Sequence, residues 1–111
     1  MDVKLLEKKF HNDMEYIYLA AKKLKYNPTY FWRMVCEKGG CQAAKQLIHT
    51  DTPSEGFTTL WELGRLDLSV EAHVIKSEYA TLFTDDERRI CIERLEAYGF
   101  KPSGGQNNGY F

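Results

Sequence analysis

VKLLEKKFHNDMEYIYLAAKKLK, Val3 to Lys25, is the stretch that sets the fold class. Apolar residues recur at Val3, Leu6, Phe10, Met14, Ile17, Ala21 and Leu24, in steps of three and four. That period places them on one stripe of a helix, whereas a half-buried strand would alternate every second residue. Lys4, Lys8, Lys9, Lys22 and Lys23 fall off the stripe, so the segment reads as one long amphipathic helix with a basic outer face.

The same reading extends along the chain. Asn27-Pro28 predicts a cap followed by the first residue of a second helix, Pro28 to about Lys38, with Phe31, Met34 and Val35 inward and Gly39-Gly40 as its stop. A short third helix covers Cys41 to Ile48. TPSE, Thr52 to Glu55, offers a capping box for a fourth helix, Pro53 to Leu63, with Phe57, Leu60 and Trp61 inward and Gly64 as its end. Ser69 caps a predicted helix from Val70 to Lys76. After a loop carrying Tyr79, Leu82 and Phe83, TDDE at Thr84–Glu87 opens a last helix to about Tyr98 with the apolar set Ile90, Cys91, Leu95 and Tyr98. No sustained period of two and no internal repeat is present. The expected fold is all-α: a compact single-domain bundle of about five helices over residues 1–100, followed by a flexible tail, 101–111, rich in Gly, Pro and Asn.

The chain of 111 residues is 43% hydrophobic, 28% charged and 14% aromatic, the composition of a globular domain. At this length it buries roughly 60–65% of its unfolded surface, enough for one core. MDVKLLEKKF lacks the apolar block of a secretory signal, no run approaches a membrane span, and three cysteines make an odd number for a disulfide framework. The expected location is the cytoplasm, with no membrane partner. Net charge is −1, yet residues 1–50 carry nine Lys and Arg against five Asp and Glu, and the remainder six against eleven. Two oppositely charged halves attracting each other within one fold account for this more simply than a polyanion partner does.

PSEGFTTLWELGRLDLSVEAHVI, residues 53–75, followed by YATLFTDDERRICIERLEAYGF, residues 79–100, resembles a recurring pattern in a family of small, largely uncharacterised bacterial proteins. YNPTYFWRMVCEKGGCQAAKQLI, residues 26–48, resembles that family's first half. The resemblance spans about residues 10–100 and implies a bacterial cytoplasmic origin and a complete domain, with no activity attached.

Functional candidates cluster in GFTTLWELGRLDLSVEAHVI, residues 56–75. Trp61, Arg65, Asp67 and Glu71 are read as a polar corner whose exposed residues form a binding surface for a protein partner. Arg65 is expected to bridge to Asp67 or Glu71 and, where buried, to tie loop carbonyls to a carboxylate. Glu62, Asp67 and Glu71 also invite an acid–base reading, but the break at Gly64 leaves their directions unset, so no catalytic residue is assigned. Cys36, Cys41, His49, His73 and Cys91 lack close ligand pairs, so neither metal nor cofactor is expected; Cys41 has no neighbouring base to activate it.

The runner-up is a nucleic-acid binder. TYFWRMVCEKGGCQAAKQLIHT resembles a degenerate helix-turn-helix that would present Gln42, Lys45, Gln46 and His49 to base edges, with Lys4, Lys8, Lys22 and Lys23 on phosphates and Tyr26, Tyr30 or Trp32 stacking. The first reading is a non-catalytic binding or regulatory module working through protein–protein contacts; an enzyme ranks third. Oligomeric state is left open.

Overall fold

Asp2 begins the first helix: its carboxylate accepts from the Lys4 N–H at 3.1 Å, closing one of the unpaired donors of the first turn. The computed structural model describes residues 2–100. Among them lie six helices, five of at least seven residues, and no strand. They are α1 (Val3–Lys23), α2 (Thr29–Lys38), α3 (Gly40–Ile48), α4 (Glu55–Glu62), α5 (Val70–Val74) and α6 (Asp85–Ala97), with single 3-10 turns at Leu66–Leu68 and Ser77–Tyr79. The predicted all-α, single-domain bundle is what forms; the predicted tail at 101–111 lies outside the described residues.

The α1 stripe is buried as its spacing requires, at Leu6, Phe10, Met14, Ile17 and Ala21, while Val3 at the start of the helix stays exposed. α1 stops two residues before the predicted Lys25. Tyr26 N–H donates to Ala21 O (3.0 Å) and Lys25 N–H to Lys22 O (2.9 Å), the paired bonds of a Schellman turn. Lys25 therefore holds φ +65°, a left-handed conformation that costs a residue with a Cβ about 1–2 kcal/mol. Gly64 and Gly99 occupy the same place after α4 and α6, where Arg65 and Phe100 N–H reach back to Leu60 and Leu95 O.

Two predicted caps are displaced. Pro28 (φ −82°, ψ 70°) is the centre of an inverse γ-turn, with Thr29 N–H donating to Asn27 O, so its ψ is not helical and α2 begins one residue late without an Asn27 cap. Thr52 does not cap α4 either. The residue before a proline is steered toward extended backbone, and the chain enters the helix only after Pro53, with Ser54 Oγ accepting from Phe57 N–H at 3.1 Å. The Thr84–Glu87 capping box forms as predicted, and Ser69 caps α5, which ends at Val74.

α3 reaches α1 through a close approach at Gly40. A Cβ there would stand 2.7 Å from His11 Cα, and Gly40 N–H donates to His11 Nδ1 at 3.0 Å. Only glycine allows that backbone contact. The main core lies where α1, α2, α3, α5 and α6 meet, centred on Phe10, whose ring meets Tyr79 edge-on (5.0 Å, 90°) and Phe83 (5.1 Å, 62°). A second cluster, Phe57, Leu60, Leu66, Leu68 and Leu95, fixes α4 against the end of α6.

Candidate functional site

α4 carries two faces with different fates. Phe57 and Leu60 are buried, but Trp61, predicted inward beside them, is 47% exposed, with Leu63 exposed next to it. Eight residues of helix present too narrow a stripe to bury all three, and Trp61 instead rests edge-on against the half-buried Tyr98 (5.3 Å, 80°). Beyond the Gly64 turn, Arg65 grips Asp67 through two bonds, Nε to Oδ1 at 3.0 Å and Nη2 to Oδ2 at 3.1 Å. The hydrogen bond from Arg65 to Asp67, and then the charge of that carboxylate, raise the pKa of the guanidinium, and Tyr16 on α1 lies near enough to act on it too. Trp61 beside Tyr98 and the Arg65–Asp67 pair thus both reach the surface.

Glu71 is not with them. It is 3% exposed and faces Arg94 of α6, whose Nη1 donates to Glu71 Oε2 at 3.2 Å. Of the two bridges open to Arg65, the one to Asp67 forms and the one to Glu71 does not; the tie of loop carbonyls to a carboxylate, expected of Arg65 where buried, is made by Arg94. The Arg94 guanidinium also donates to Leu47 O (3.1 Å), Ile48 O (3.1 Å) and Thr50 O (2.6 Å), satisfying the carbonyls at the end of α3. Burial raises the pKa of the Glu71 carboxyl, with its own backbone N–H and Arg94 pulling in the opposite direction. A sequence signal for Arg94 did exist: it stands three residues after Cys91 and beside Leu95, on the face of α6 that turns inward.

The residues predicted for nucleic acid divide. Lys4, Lys8, Lys22, Lys23 and Gln42 are exposed. Lys22 Nζ lies 5.2 Å over the Tyr18 ring, which stacks on Trp32 (4.7 Å, 10°). Trp32 and Tyr26 are half-buried, leaving Tyr30 as the exposed ring of that segment. Lys45 on α3 and His49 just after it both turn to Glu87, at 2.9 and 2.7 Å, and so hold α3 to α6 rather than standing free for bases.

Burial alone would raise the pKa of Glu87, but bonds from Lys45, the Thr84 N–H and His49 outweigh it and bring it down to about 2. A carboxylate with a depressed folded pKa contributes stability above its unfolded value, here 4.5, and loses it as pH falls toward about 2. Glu87→Gln should therefore lower the urea midpoint near neutral pH and differ much less from wild type at about pH 2. A difference that stays the same at both pH values would show that Glu87 acts by shape alone.

A third polar cluster joins α1 to the segment after Ser69. Tyr79 OH donates to Asp13 Oδ2 at 2.5 Å, and His73 Nδ1 lies 3.5 Å from the same oxygen without a hydrogen bond. Burial lowers the pKa of His73, assisted by Lys76, and raises that of Tyr79. These groups favour their neutral forms. Cys41 and Cys91 likewise move away from reactivity: burial pushes Cys41 up to about 11 and raises Cys91 as well, the wrong direction for a nucleophile at neutral pH. Among the described residues no three His, Cys, Asp or Glu side chains are grouped to hold a metal ion.

Between α1, α2, α4 and the Leu68–Glu71 segment lies a cleft of about 380 Å³. Its walls are mostly apolar, with Ile17, Phe31, Met34, Phe57 and Leu60 among them, while Tyr26, Ser54 and the buried Glu71 bring polar groups to its margin. The sequence reading did not anticipate this space, because its walls come from segments far apart in the chain.

Fold and site together define a small all-α domain with an exposed aromatic corner, a basic helix face and an apolar cleft. Comparison of the chain with protein-family models, with curated proteins and with solved structures finds no match. No described helix is long and apolar enough to cross a membrane.

Proposed function

We propose that this domain is a non-catalytic binding or regulatory module of the bacterial cytoplasm, engaging a protein partner through the corner formed by Trp61, Leu63, Arg65 and Asp67. The observation that carries the reading is Trp61, a large ring 47% exposed yet held edge-on by Tyr98. A ring already oriented loses little side-chain entropy on binding, and Trp and Arg are the residues on which interfaces most depend. Arg65 and Asp67 supply a polar rim beside it. Glu71, expected in the same surface, belongs to the interior and is left out.

The second reading, nucleic-acid binding, draws on one observation: Lys4, Lys8, Lys22 and Lys23 are exposed and none of them enters an ion pair among the described residues. Such charges are free to neutralise phosphates. One experiment separates the readings: affinity purification from bacterial lysate with and without nuclease, using wild type and Trp61→Ala. The expected result is a stoichiometric protein that survives nuclease and is lost from Trp61→Ala, while that variant keeps its helical circular dichroism. Material that nuclease removes, that weakens with salt, and that disappears on charge reversal of the four lysines would replace the first reading with the second.

A further inference from the structure

We propose that the outer face of α1 is the surface through which two copies of this chain pair, antiparallel and about a two-fold axis at Asn12. Three of the seven large apolar side chains left exposed among the described residues lie on this face: Leu5 (60% exposed), Tyr16 (56%) and Leu19 (50%). With Asn12, also exposed, they follow one another at steps of seven, four and three. At 3.6 residues per turn these steps keep all four within an arc of about 60°, on the side of α1 turned away from Phe10 and Met14. The core is filled by the opposite stripe, so in a single copy this second apolar line stays in water.

The pattern along the face selects a second copy as its occupant, because a two-fold contact requires one surface to complement itself. Leu5 and Leu19 each stand seven residues from Asn12, about 10.5 Å along the helix, so the axis sets Leu5 of each copy against Leu19 of the other. At the axis a side chain meets its own image. An amide carries both donor and acceptor and pairs with itself, whereas a charged group there would repel its image. On one flank, Lys8 lies four residues before Asn12 and Glu15 three after it, so the same axis brings Lys8 of each copy beside Glu15 of the other. Parallel pairing would instead set lysine on lysine. Lys8 and Glu15 are both exposed, and neither enters an ion pair among the described residues. On the other flank Lys9 is already paired with Glu78. Lys4 and Lys22 stand about 90° round the helix from the middle of the face and remain outside the contact.

Sedimentation equilibrium of the purified full-length protein, freed of nucleic acid and at low salt, tests the pairing. The wild type should associate reversibly from monomer to dimer. Glu15→Lys, which leaves only like charges on that flank, should weaken the dimer at least about tenfold; adding Lys8→Glu should restore it, since the double variant merely exchanges the two charges. Leu19→Glu should yield a monomer that keeps the helical circular dichroism of the wild type. If Leu19→Glu fails to fold, the charge exchange still decides. A wild type that is monomeric at every concentration up to about 1 mM, a dimer indifferent to Glu15→Lys, or a double variant as weak as the single one would each overturn the proposal. Only the purified chain is measured, so none of these results bears on whether a lysate partner is lost with Trp61→Ala.

Discussion

Replacing Arg94 with alanine should lower the unfolding free energy by about 3–5 kcal/mol, because it leaves a buried carboxylate without its partner. The loss has two sources. Glu71, 3% exposed, would keep its charge with no cation within reach or else take up a proton. The carbonyls of Leu47, Ile48 and Thr50 would lose the donor that closes the end of α3 and the turn after it. Urea unfolding of the wild type, Arg94→Ala and the double variant Arg94→Met with Glu71→Gln checks the assignment. The double variant should recover part of the loss, since it removes the stranded charge, though not the carbonyl bonds. A single-variant loss below about 1 kcal/mol would mean that water reaches the pair and that it behaves as a surface bridge.

Phe10→Ala should cost a comparable amount, about 3–5 kcal/mol, by emptying the centre of the main core. Phe10 is fully buried and its ring meets both Tyr79 and Phe83 edge-on, so neither neighbour can close the space without giving up its own geometry. Tyr79 is further fixed by its bond to Asp13. Phe10→Leu, which retains most of the volume, should lose much less. Thermal unfolding of both variants reads the difference; equal losses would show that the ring contacts, rather than the filled volume, are what matter.

Local order along this chain was legible because local rules produce it. The α1 stripe, the Thr84–Glu87 capping box, the Ser69 cap and the stops at Gly64 and Gly99 each depend on residues within four or five positions of one another. Where boundaries moved, a neighbouring rule prevailed. Pro28 adopted a γ-turn instead of opening α2, Pro53 delayed α4 until Ser54 could cap it, and Lys25 accepted a left-handed backbone to end α1.

The candidate site was half legible. Arg65 and Asp67 stand two residues apart in one turn, so their pairing needs no tertiary information. The helical period directs Trp61 inward, but its short helix does not bury the ring completely, and charge normally directs a residue such as Glu71 to solvent, whereas here it is buried. The partner that reverses this, Arg94, stands 23 positions away. The chain by itself determined the helices, their caps and one surface ion pair, since these follow from backbone sterics and hydrogen bonds between near neighbours. Only the tertiary structure decided which charges are buried, that Lys45 and His49 serve Glu87, and that a cleft opens beside Glu71. Burial and charge pairing depend on what arrives from distant segments, and that is fixed only when the helices pack.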